Sequence, residues 1–223
     1  MPESELITRY ELRPVVHIQD QRIVAWDFWR RPPAPDEKGE IAGDIALIQA
    51  LSENRLSLPE DAPREIIVQQ HPDAIIKIDP QVLRKAGEYF QVVISPVMHN
   101  RENITIEHPG LALLEHFAHD HLCQIAIEHV DFEGPAFVDI LSQWAPKWVK
   151  VSTLFLRQAR THLFTRNLIR DLASAARLWQ AETIVKTVES EDDLKLLDSL
   201  GVHHAEGKLF DEMIVCFEVN TNQ

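Results

Sequence analysis

The chain has 223 residues, 45% hydrophobic and 26% charged, with a formal net charge of −13. Apolar residues recur along nearly its whole length, which excludes a disordered tail, and no apolar run approaches the roughly 20 residues that cross a bilayer, which excludes a membrane-spanning helix. With 22 Lys and Arg against 35 Asp and Glu and no basic run, direct DNA or RNA binding is not expected, because neutralising phosphates needs a basic face.

In chain order, residues 15–18 and 23–28 are β-type runs flanking Gln19-Asp20-Gln21-Arg22, a hairpin pattern. Arg31-Pro32-Pro33-Ala34-Pro35 reads as a loop, too short and too early to divide the chain, so residues 1–223 are expected to form a single domain. Residues 44–54 carry Ile45, Leu47, Ile48 and Leu51 at helical spacing, with Asp44 placed to cap the helix. A short strand is expected over 74–78, ended by Asp79-Pro80, then a helix over 81–90, a strand over 103–107 and a helix over 111–121. The pattern continues with strands over 123–127 and 148–151 separated by a helix over 136–144. A long helix over 163–180, a strand over 183–188, a helix over 191–200 closed by Gly201 and a last strand over 203–207 complete it.

The opening MPESELITRYELRP has no basic start and no apolar core, so no secretory signal is expected and the cytoplasm is the predicted location. Cys123 and Cys216 could form one disulfide, but a reducing cytosol predicts two free, buried thiols. His116, His119 and His121 lack the partners that would complete a zinc set and read as a solvated helix face. On a strand, Trp26 and Phe28 share one face and Asp27 and Trp29 the other, and core packing accounts for the first.

Alternating strands and helices argue for α/β architecture with a parallel sheet. No GxGxxG or GxxxxGK[ST] turn marks a nucleotide-binding doubly wound sheet. About eight strands fit a (β/α)8 barrel, whose functional groups sit at the C-terminal strand ends. Those ends carry Asp27, Lys77, Glu107, Glu128, Lys150, Lys186, Glu189 and Glu206, either a hard-metal site or a set of ion pairs.

Several segments, in order and spacing, resemble the EAL domains, the bacterial cyclic di-GMP phosphodiesterases. Tyr10-Glu11-Leu12-Arg13-Pro14-Val15-Val16 is similar to the family's YQPIV strand, and Val24 through Arg31 to its signature strand. Ile125-Ala126-Ile127-Glu128-His129 sits where the family has IALDD, and Trp148-Val149-Lys150-Val151-Ser152 where it has its KID strand. Thr183 through Glu191 resembles AEGVETE, and Ala205-Glu206-Gly207-Lys208-Leu209-Phe210 resembles QGYLF. The resemblance implies an EAL-type modified TIM (β/α)8 barrel with an N-terminal antiparallel strand.

It also implies changed ligands. The signature glutamate is Asp27, and the metal-binding Asn falls on Lys77; another register would use Val93-Ile94-Ser95-Pro96, and the distance to Glu107 favours Lys77. Glu107 matches the first glutamate of ELTE, while the second is lost at Gly110. The paired aspartates become Glu128 and His129, and Lys150 keeps the lysine that orients the nucleophilic water. Lys186 replaces the first glutamate of AEGVE, Glu189 keeps the second, and Glu206 replaces the QGYLF glutamine. Arg31 keeps the arginine that contacts nucleotide phosphate. An ammonium has donors only and repels a divalent ion. The expectation is therefore a non-catalytic, stand-alone member without Mg²⁺ or Mn²⁺, with lysines standing in for the metals as counter-charges. Such a protein would act through an unidentified protein partner, such as a transcription regulator or a motility or biofilm component. Cyclic di-GMP binding without hydrolysis is the alternative, an active phosphodiesterase the remoter one, and a homodimer stays open.

Overall fold

The computed structural model describes residues 7–31, 36–97, 108–128 and 142–220. Its first strands, β1 (Ile7–His17) and β2 (Ile23–Arg31), pair with each other as the hairpin pattern predicts. They are followed by α1 (Glu37–Ser52), β3 (Glu65–Gln70), α2 (Pro72–Lys77), α3 (Pro80–Ala86), β4 (Gln91–Pro96) and α4 (Pro109–His119). Next come β5 (Gln124–Ile127), β6 (Trp148–Val151), α5 (Thr153–Ala159), α6 (Leu163–Leu178) and β7 (Glu182–Val185). The chain ends with α7 (Glu191–Ser199), β8 (His204–Ala205), a 3₁₀ turn and β9 (Val215–Asn220). The sheet order is β2-β3-β4-β5-β6-β7-β8-β1-β9, and β2 also pairs with β1. Eight strands therefore close into an α/β barrel of the expected class. β1 is antiparallel to β8, and β9 is bonded outside on β1.

The chain divides into two compact units. The first comprises Met1–Leu12, Trp26–Gln124 and Ile214–Gln223. Here β2, β3 and β4 run parallel, with Asp27 opposite Ile67 and Ile67 opposite Val93. Ile66, Ile67, Val68, Val93 and Ile94 are fully buried, as a strand covered on both faces requires. The second unit comprises Arg13–Ala25 and Ile125–Met213, with β5 through β8 parallel in register.

Several expectations change. Residues 74–78 are not a strand: Pro72 follows the His71 cap at the start of α2, and Ala74 and Ile75 turn inward. The strand belongs instead to Glu65–Gln70, buried except at the half-buried Gln69 and without alternation to mark it. Beside it lies β4, containing the Val93–Pro96 stretch. Helix α1 starts seven residues earlier than Asp44, at Glu37, where Asp36 accepts the Gly39 N–H at 2.8 Å. Asp44 is buried mid-helix. The expected strand over 103–107 lies outside the described residues, as does most of the helix over 136–144. Both cysteines are free, but only Cys123 is buried, its thiol pushed up to about 12 by that burial; Cys216 on β9 is exposed. No helix among the described residues is long and apolar enough to cross a membrane.

Candidate functional site

In the second unit, parallel register brings the charged strand ends together. Ile127 lies opposite Val149, so the next residues, Glu128 and Lys150, are level across β5 and β6. Val185 lies opposite Ala205, so Lys186 and Glu206 are level across β7 and β8. Lys150 Nζ donates to Glu128 Oε1 at 2.5 Å, and Lys186 Nζ approaches the same oxygen at 3.5 Å. Glu128, Lys150, Lys186 and Glu206 are all buried, Lys150 completely. Two ammonium groups on one carboxylate oxygen form a donor-rich centre. A divalent cation needs oxygen acceptors there instead.

The backbone beside this cluster is tightly constrained. Val188 N–H donates to Glu206 O, and Glu206 N–H to Val185 O, each at 3.0 Å. A Cβ on Gly207, whose φ is +156°, would lie 2.2 Å from Val188 N, so only glycine fits. Thr187 holds a left-handed φ of +63°, unusual for a β-branched residue, and its hydroxyl donates to Lys186 O at 2.6 Å. The resemblance places the glycine of AEGVE at this residue.

Glu189 stands apart, exposed and paired with Arg160 at 3.2 Å. Arg160 also makes a two-pronged contact with Asp193 at 2.9 Å and 2.9 Å. Burial pushes the Asp193 carboxyl up, but Arg160 and the Glu189 N–H outweigh it and hold the group below the usual range. Asp193 also closes the capping box with Ser190 that starts α7. Asp193 thus caps α7, and the Glu189 side chain is held beside it by Arg160.

In the first unit, Asp27 is completely buried on β2 and accepts the Trp29 indole N–H at 3.0 Å. The shared strand face was legible from the sequence; the hydrogen bond was not. Arg31 ends the strand with its guanidinium 5.9 Å from the Trp29 ring centre and its Nε donating to Glu11 at 3.1 Å. Lys77 is not at a strand end: it is the exposed last residue of α2. It therefore does not occupy the strand-end position that the sequence register assigned to it. Glu107 and His129 lie outside the described residues. His116, His119 and His121 are exposed, as a solvated face predicts.

The first unit also holds a cluster that the sequence did not signal. Arg30 forms a very short ion pair with Asp44, whose other oxygen accepts the His71 N–H at 2.7 Å. Burial pushes Asp44 up to about 7, against the opposing pull of Arg30 and the His71 N–H. The ligand atoms of Glu37, His71 and Asp73 lie within 4.8 Å of one another. His71 Nδ1 accepts the Asp73 N–H at 3.0 Å, and its Nε2 lies 3.1 Å from Glu37. A neutral ring accepting at Nδ1 carries its proton at Nε2, so His71 is a hydrogen-bonded helix cap rather than an open metal ligand.

Comparison with solved structures finds the same fold at low identity. The EAL enzyme Bd1971, bound to cAMP and cyclic di-GMP, superposes with a TM-score of 0.66 at 12% identity, over 96% of this chain and 62% of that one. Klebsiella pneumoniae BlrP1, in a manganese and cyclic di-GMP complex, gives 0.73 at 14%, over 99% and 60%. A standalone EAL protein from Vibrio cholerae O395, bound to cyclic di-GMP, gives 0.66 at 14%, over 92% and 91%. The chain thus spans less than two thirds of the length of the first two. Comparison with curated proteins finds no match. The family profile described as EAL domain matches residues 91–212, more than half of the sequence and all of the Glu128–Lys150–Lys186–Glu206 cluster. The chain belongs to the EAL domain family.

Proposed function

We propose that this EAL domain does not hydrolyse cyclic di-GMP and acts as a cytoplasmic regulatory module through protein–protein interaction, in the control of motility, biofilm formation or transcription. The observation that carries the reading is Lys186, whose ammonium lies 3.5 Å from the carboxylate oxygen already held by Lys150. Two-metal hydrolysis needs carboxylate oxygens that cradle the ions and activate water. Here the matching carboxylate meets two cations, and among the described residues this cluster does not fit a divalent metal. The shortening of the signature glutamate to Asp27, bound to Trp29, supports the same reading.

Incubation with cyclic di-GMP and Mn²⁺, followed by chromatography, is expected to leave the dinucleotide intact; release of linear pGpG would overturn the reading. Arg31 favours a second one, cyclic di-GMP binding without cleavage. It keeps the family's phosphate-contacting position and is held at the strand end by Glu11. Calorimetric titration decides between the two: saturable heat lost in Arg31→Ala supports a receptor, and no heat retires the nucleotide.

A further inference from the structure

Helices α5 and α6 carry a charge opposite to that of the chain as a whole. From Thr153 to Leu178 there are five arginines and one carboxylate, Asp171, in a chain of net charge −13. Arg160 is neutralised by Asp193 and Glu189. The others form no ion pair among the described residues. Arg166 and Arg177 donate to backbone carbonyls, and Arg170 to Asn167. Helix α6 buries Thr165, Ile169, Leu172, Ala173 and Ala176, which turns its other face outward. That face opens with two adjacent apolar side chains in its first turn, Leu163 at 69% and Phe164 at 74% exposure.

Single exposed apolar residues are ordinary. An adjacent exposed pair on a helix that also exposes Arg170 and Arg177 combines the residue types of an interface core and rim. A twofold self-association of this face would set arginines against arginines, so a second copy is disfavoured by charge. An extended anionic membrane would also face the acidic remainder of the chain, which a short acidic segment does not. A short acidic segment meets the arginines favourably within about a Debye length and gains the apolar contact beside them.

We propose that the outer face of α5 and α6 docks an acidic, apolar-anchored segment of another protein. Leu163 and Phe164 are the anchors; Arg157, Arg170 and Arg177 are the electrostatic guides. The proposal rests on the protein-binding part of the reading above and names its surface.

The test titrates the full chain into a labelled, Glu-rich amphipathic peptide with Leu and Phe on one helical face, and into the same peptide with Gln for Glu. Saturable binding of the Glu peptide alone is expected. It should weaken about tenfold or more in Phe164→Asp, in the triple variant R157E/R170E/R177E and at high salt. Circular dichroism of these surface variants should be unchanged. Four outcomes overturn the proposal: no binding, equal binding of the Gln peptide, binding indifferent to the variants, or preferential uptake onto phosphatidylglycerol vesicles. A concentration-dependent dimer broken by Phe164→Asp would overturn it too. Release of pGpG from cyclic di-GMP would overturn the functional reading and leave this titration unchanged.

Discussion

Two buried carboxylates, one in each unit, are compensated in different ways. Asp44 in the first unit meets one guanidinium and one backbone N–H. Glu128 in the second meets two ammonium groups at one oxygen. Asp44 is locally balanced, yet burial still pushes its carboxyl up to about 7. Glu128 faces two positive charges at one oxygen, and the buried Glu206 is level with Lys186 on the next strand. The first arrangement ties a helix to a strand. The second fills the strand ends of a barrel with fixed cations. Removing the carboxylate should therefore matter more in the second.

Glu128→Gln is the largest expected effect. It leaves Lys150 and Lys186 buried without their shared counter-charge, which should cost about 3–5 kcal/mol in urea unfolding. Asp44→Asn keeps an acceptor for the His71 N–H and leaves Arg30 partly solvated, so about 1–3 kcal/mol is expected. Equal costs, or the reverse order, would break the comparison.

The two units also differ in the sign of their pH response. His204, against Trp148 at 4.9 Å between ring centres, is lowered to about 4 by burial and by the nearby charges of His17, His203 and Arg22. A depressed histidine contributes stability above its unfolded value that is lost as pH falls towards its folded one. Between about pH 7.5 and about pH 5 this loss should be about 2 kcal/mol, and His204→Phe should abolish it while keeping the ring contact. Asp44 acts oppositely: its folded value lies above the unfolded one, so its contribution is full below about pH 4 and is lost as pH rises through about 7. Asp44→Asn should remove that slope and leave the His204 slope in place. A single shared slope in both variants would refute the separation.

The smallest effect is a gain. Thr187→Gly relieves a left-handed backbone and should stabilise by about 1 kcal/mol, or a few degrees in Tm. No gain would mean that the Thr187 hydroxyl bond to Lys186 O offsets the strain.

Legibility differed between the units for a physical reason. Strands β5 and β7 carry apolar runs followed at once by a charged residue, and β6 sets Lys150 among apolar neighbours, so these strands and their charged residues could be read locally. Glu128, Lys150 and Lys186 were identified that way. The first unit misled because an apolar run of β-branched residues, Ile75-Ile76-Lys77-Ile78, satisfies a strand pattern, while Pro72 starts a helix there. The true strand, β3, is buried on both faces and shows no period to detect. Asp44 looked like a cap because an acidic residue before an apolar stripe usually is one. Only the distant Arg30 explains its burial.

Local sequence sufficed for the alternation of strands and helices, the parity that turns charged residues to one face, and the family motifs. These depend on neighbours a few residues apart. Only the folded chain decides that Lys150 and Lys186 share one oxygen of Glu128, that Trp29 binds Asp27, that Lys77 lies exposed on a helix, and that α6 exposes Arg170 and Arg177. Most of these contacts join groups far apart in the chain, and even the close pair Asp27 and Trp29 needs a particular side-chain orientation. Where such groups meet is set by strand register and helix packing, which no local pattern records.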